Sequence, residues 1–173
     1  MNLLHTLTSG LNKLVLNILV LMFLFMTVAV VYQVISRYVT AQSAPWTEEY
    51  ARYLFVYVAL LGSSVALKTG GHVAVSLLTD RLNAVSRHRV AIFATLVAAG
   101  FFGVMVYSGY YSMVRAAMQS SPATDTNLGL IYAAVPVSGA LMLLYSVEMV
   151  LDLLLQGPQA IGSTDATDSG RLS

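Results

Sequence analysis

Glu48, Glu49 and Arg52 follow Pro45 and Trp46 at the start of a long uncharged stretch, and their spacing decides what they can do. Glu48 and Arg52 are four apart, so on a helix they share a face, with the acid on the N-terminal side, the favourable order both for the pair and for the helix dipole. Continuing that face gives Phe55, Ala59, Gly62 or Ser63, and Ala66, which below the charges is mostly small. Ala59 with Ser63, and Gly62 with Ala66, are small residues four apart, which let another helix approach closely where lipid gives no hydrophobic drive to association. The chemistry on offer is therefore charge pairing and close helix contact. It could be a surface pair at the lipid headgroups worth ~0.3–0.5 kcal/mol, or a docking edge for another protein, because three ionisable groups at a bilayer boundary are costly if they face lipid.

Other reactive constellations are missing from the sequence. The histidines are His5, His72 and His88, and none falls inside an apolar run. There is no cysteine, no nucleophile paired with a base, no phosphate loop and no cluster of metal ligands, so the sequence reads as a non-enzyme with neither cofactor nor metal. A haem-binding anchor subunit would need histidines within its helices. A self-contained carrier or channel would place ionisable groups at mid-membrane; Glu148, the nearest candidate, comes late in the last apolar run, where pairing with Lys68, Arg87 or Arg89 is the simpler role. The inventory suggests a scaffold. The net charge of +1 argues against a nucleic-acid surface.

The elements that position these residues follow from hydropathy. With 57% hydrophobic and 10% charged residues and a mean hydropathy of +0.74, the chain departs from soluble domains, which carry about 25% charge. It reads as an all-α integral membrane protein whose contact with membrane lipid is extensive. Four transmembrane helices are expected at about 14–36, 48–67, 90–112 and 130–150, each near the roughly 20 residues needed to cross a bilayer. Pro45 should open the second helix, with Ser43 or Thr47 as its cap, and Gly70–Gly71 should end it. Apolar positions at Val75, Leu78, Leu82 and Val85 alternate with polar ones, predicting a short amphipathic surface helix over 73–85, between spans two and three. Ala94 with Ala98, and Ala99 with Gly103, mark a packing face on span three. Pro136 should kink span four. Residues 1–156 then form a single membrane domain, and 157–173, small and polar, read as a disordered tail. Arg37, Arg52 and Arg115 lie on one side, against Lys13, Lys68, Arg81, Arg87, Arg89 and Arg171 on the other, so the positive-inside rule places both termini and that tail in the cytoplasm.

One stretch carries a resemblance. Trp46, Glu48, Glu49, Ala51, Arg52 and Tyr53, then Gly62 and Ala66, then Lys68, Gly70, Gly71, His72 and Val73, resemble the small membrane subunit (DctQ-type) of TRAP, or tripartite ATP-independent periplasmic, transporters. The family pattern reads roughly W-x-E-E-x-x-R, a span containing L-G, then basic-x-G-x-H-hydrophobic. Ser76 stands where that family often carries an acid, the nearest here being Asp80. The resemblance implies a small permease subunit in the bacterial inner membrane. Its partners would be a large membrane subunit that holds the sodium and substrate sites, and a periplasmic substrate-binding protein that delivers an organic acid. It also implies a scaffold role, with Trp46, Glu48, Glu49, Arg52, Ala59, Gly62, Ser63 and Ala66 at the contact with the large subunit, and Lys68, Gly70, Gly71 and His72 forming a cytoplasmic turn.

Overall fold

No proline precedes Pro45, and nothing in the first 40 residues breaks the backbone ladder of an apolar helix. In the computed structural model, which describes residues 2–40, 45–79 and 84–156, α1 accordingly runs unbroken over Asn2–Ile35 and ends in a π-helical turn, Ser36–Thr40. Its first turns take in the polar residues ahead of the expected span. Helix α2 is Pro45–Thr79, opening on its proline, whose missing amide hydrogen costs nothing at that position. Helix α3 is Ala84–Ala116, α4 is the short Leu128–Tyr132, and α5 is Ala134–Gln156. Among the described residues, four helical segments are long and apolar enough to cross a membrane: His5–Val39, Pro45–Gly70, His88–Ala116 and Leu128–Leu155. Each encloses one of the spans expected from hydropathy, and the protein is an all-α membrane protein.

One local expectation is corrected. Gly70 and Gly71 do not end the second helix, for α2 passes through them to Thr79. A glycine weakens a helix by only about 1 kcal/mol and leaves its hydrogen bonds intact. Gly70 also lacks the positive φ that a glycine helix stop uses. The surface helix expected over 73–85 is therefore continuous with α2 as far as Thr79, and 80–83 lie outside the described residues, as does the tail 157–173. Span four is interrupted just ahead of Pro136, where α4 ends at Tyr132 and α5 begins at Ala134, leaving Pro136 in the first turn of α5. The ring excludes the carbonyl four residues before it, so the helix must be remade around Tyr132. Tyr57 of α2 donates its hydroxyl hydrogen to the Leu130 carbonyl at this break, while Ser138 donates to Val135 O at 3.0 Å.

The helices pack in the order α1, α2, α5, α3, with α1 against α2, α2 against α5, and α5 against α3. Of the four spans the last is the most enclosed and the first the most exposed. The large apolar side chains on the outside, such as Leu21, Phe25, Phe93 and Phe101, are what a lipid-facing surface requires. The close approach of α3 to α5 occurs at Gly109 and Gly139. A Cβ on Gly109 would stand 2.9 Å from Val135 Cγ1, and one on Gly139 would stand 3.1 Å from Val106 Cγ2, whereas one on Gly103 would meet nothing within 4 Å. Between α3 and α4 the chain makes a tight turn at 117–127. Ser121 N donates to Thr126 O at 2.9 Å, Asp125 takes φ 50°, and Asn127 caps α4 by accepting from Gly129 N at 2.8 Å.

Candidate functional site

Charged and small residues of α2 sort onto two faces, because a helix separates neighbours in sequence by 100° or so of rotation. Glu48, Arg52, Phe55, Ala59, Ser63 and Ala66 form one exposed stripe along the helix. Arg52 Nη2 donates to Glu48 Oε1 at 3.3 Å, with side chains 69% and 62% exposed, so within this subunit the pair is a wet surface pair. Gly62 borders the stripe, and a Cβ there would meet nothing within 4 Å. Ser63 turns its hydroxyl back to Ala59 O at 2.8 Å, which leaves the stripe below Arg52 apolar and shallow. Such a face, with ions at one end only, can accept an apolar helix along its length and a polar group at its charged end.

The opposite face is buried and includes Thr47, Leu61 and Ser64. Glu49 belongs with this inner face and not with the stripe. It is 9% exposed and accepts a hydrogen bond from Tyr53 OH one turn on, and Tyr53 also interacts with Ser121 of the 117–127 turn. Trp46 leans on α1, its ring centroid 5.8 Å from that of Tyr32. The eight residues grouped from sequence thus divide: Glu48, Arg52, Ala59, Ser63 and Ala66 share the exposed stripe, Gly62 flanks it, Trp46 faces α1 and Glu49 faces inward. Among the family-motif residues, Lys68 also turns inward; Gly70 and Gly71 continue the helix, and the side chain of His72 lies outside the described residues.

Lys68 lies at the centre of a second constellation, at the end of the bundle that carries the chain termini. Its ammonium donates to Glu148 Oε2 of α5 and to Thr8 Oγ1 of α1, the latter at 3.2 Å, and sits 5.6 Å from the centroid of the Tyr145 ring. Thr8 in turn donates to Glu148 Oε1 at 2.8 Å, closing a ring of three side chains from three helices. Lys68 is 18% and Glu148 7% exposed, so each charge depends on the other. Of the three cations available to Glu148 on sequence grounds, packing selects Lys68. Thr8 and Tyr145 carry no sequence signal for this role: one threonine in a polar leader and one tyrosine in an apolar run look alike wherever they occur. No group of three or more metal-ligating side chains occurs among the described residues.

Comparison with known proteins bears on these features. The family model for the DctQ component of tripartite ATP-independent periplasmic transporters matches residues 26–156. Over 123 residues the chain is 24% identical to the sialic acid TRAP transporter small permease protein SiaQ of Vibrio cholerae, covering 71% of each chain. It is 29% identical over 99 residues to the C4-dicarboxylate TRAP transporter small permease protein DctQ of Rhodobacter capsulatus, covering 56% of this chain and 44% of that one. A third relative, the sialic acid TRAP transporter permease protein SiaT of Haemophilus influenzae, is 31% identical over 111 residues, which is 64% of this chain but 18% of that one.

Proposed function

The chain belongs to the DctQ component family of tripartite ATP-independent periplasmic transporters, and from that membership we propose that it is the small permease subunit of such a system. In this reading it lies in the bacterial inner membrane with both termini cytoplasmic. It serves as a fixed scaffold for a large sodium-coupled permease subunit, which takes up an organic acid brought by a periplasmic binding protein. The observation that carries the reading is the exposed stripe of α2, apolar and mostly small below the Glu48–Arg52 pair, on the side of the helix opposite the buried Thr47, Leu61 and Ser64. A polar entrance above a shallow apolar face is costly against lipid and well suited to a partner helix. The match to under a fifth of the SiaT permease supports the same idea, because the corresponding segment there is part of a far longer chain. Sialic acid and C4-dicarboxylates, named for the relatives, are both carboxylates, which supports an organic acid as the transported class.

Copurification with a coexpressed large subunit tests the scaffold reading. Gly62→Leu adds bulk beside the stripe without touching charge, and Arg52→Ala removes the cation at its end. Both variants should insert and fold normally yet recover less of the large subunit. In vesicles, the chain alone should move no organic acid under a sodium gradient, while the three-part system should. Wild-type recovery of the partner by both variants would place the contact elsewhere, and uptake by the chain alone would end the scaffold reading.

A further inference from the structure

Helix α3 ends the row of helices, packed against α5 and α4. Its other side carries Phe93, Val97, Phe101, Val104, Tyr107 and Tyr111, which recur at intervals of three and four residues and so share one face, each 49–70% exposed. Arg115 follows one turn beyond Tyr111, in the last turn of the helix, and is exposed as well. This end of α3 is the end of the bundle opposite the Lys68–Glu148 pair. The face is thus apolar for most of its length, then phenolic, then cationic.

Size and charge together say what covers such a face. Membrane helices approach one another through small residues, as α3 does toward α5 at Gly109, whereas flexible acyl chains fill the spaces between large ones. The ion pairs among the described residues are Arg52–Glu48 and Lys68–Glu148, so Arg115 has no acidic partner there. Its planar guanidinium suits the oxygens of a phosphate. Depth agrees with this chemistry. From Arg115 down to Val104 the helix covers about 16 Å, close to one leaflet's half of a ~30 Å hydrocarbon layer. Between them the Tyr107 and Tyr111 rings meet at 4.9 Å, and Tyr110 meets Tyr111 at 6.2 Å. Tyrosines gathered in this way mark the level at which apolar rings and polar hydroxyls divide between hydrocarbon and headgroup.

We propose that this face of α3 binds a phospholipid, with the Arg115 guanidinium on its phosphate, the Tyr111 hydroxyl below at its ester linkages, and its acyl chains along Tyr107, Val104 and Phe101. The phosphate is what the arginine reads, so a neutral diacylglycerol with the same chains is not held. The lipid seals the outer side of the end helix where no helix of this subunit packs. The site requires only that the chain lie in a membrane, and it stands independently of the contact between α2 and a large subunit.

Photo-crosslinking in lipid nanodiscs tests this, with the full chain alone and with a coexpressed large subunit, using phosphatidylglycerol that carries a diazirine midway along one acyl chain. Peptide mass spectrometry should find adducts concentrated over residues 101–107 of α3 relative to Leu21 and Phe25, exposed residues of α1 that serve as the internal reference. Arg115→Gln should lower the α3 adducts about fivefold, the worth of one cation near anionic headgroups, and leave those on α1 unchanged. A diacylglycerol with the same diazirine should label the two helices alike. Equal labelling of α1 and α3 by the phospholipid, or an α3 yield that survives Arg115→Gln, reduces the contact to bulk lipid and overturns the proposal. Loss of the α3 adducts once the large subunit is present overturns it too, since a protein then covers the face.

Discussion

Replacing Lys68 by methionine separates the Lys68–Glu148 and Glu48–Arg52 pairs by their energetics. Methionine keeps the length and much of the apolar volume of the lysine stem, so the change removes a charge and little packing. What remains is Glu148, 7% exposed, with one of its two partners gone and Thr8 still donating to Oε1. Loss of one member of a buried pair typically costs ~3–5 kcal/mol, because the survivor is left uncompensated, which shifts the folding equilibrium by roughly two to four orders of magnitude. The Glu48–Arg52 pair is 62% and 69% exposed, so Arg52→Ala in the isolated subunit should cost no more than ~0.5 kcal/mol. Detergent-denaturant titration of the purified subunit, following helix loss, reads both on one scale. Lys68→Met combined with Glu148→Gln should recover most of the loss, since removing both charges leaves none unpaired. Were Lys68→Met no more destabilising than Arg52→Ala, the ring of three side chains would not carry the energetic weight its burial implies.

Glycine substitutions test the packing and the helix boundary. Gly109→Ala places a methyl 2.9 Å from Val135 Cγ1 and 3.0 Å from Pro136 N, and should lower stability by ~1–3 kcal/mol in the same titration. Gly103→Ala, in open space, should be neutral or stabilising by up to about 1 kcal/mol. Gly70→Ala should likewise raise the unfolding midpoint because α2 continues through that position; a drop would mean the helix stops there. For topology, a reporter fused after Gln156 should behave as cytoplasmic and one inserted at Thr124 as periplasmic, and the reverse pair of signals would invert the assignment.

Hydropathy alone determined the number and approximate position of the spans, because the length of an uncharged run must match the thickness of the bilayer and no packing alternative competes with that requirement. The Glu48–Arg52 pair was equally legible, being an interaction four residues long on one helix. The small face below it could be read as a stripe, but its exposure could not: Ala59, Ser63 and Ala66 have the spacing of Ala99 and Gly103, and only the packing of neighbouring helices decides which small residues meet a partner inside the chain. At Gly109 and Gly139 they do. Glu48 and Glu49 are adjacent in sequence and alike in chemistry, yet the helix turns one to the outside and the other toward Tyr53. Gly70–Gly71 shows the limit of local propensity, since the pair looks like a stop and the helix continues through it. The ring of Thr8, Lys68 and Glu148 lay furthest from view. Its members are 60, 80 and 140 residues apart, and charge alone left Lys68, Arg87 and Arg89 equivalent as partners for Glu148. The choice among them was made by the apposition of α1, α2 and α5, which buries Lys68 and Glu148 together, where neither charge can stand alone.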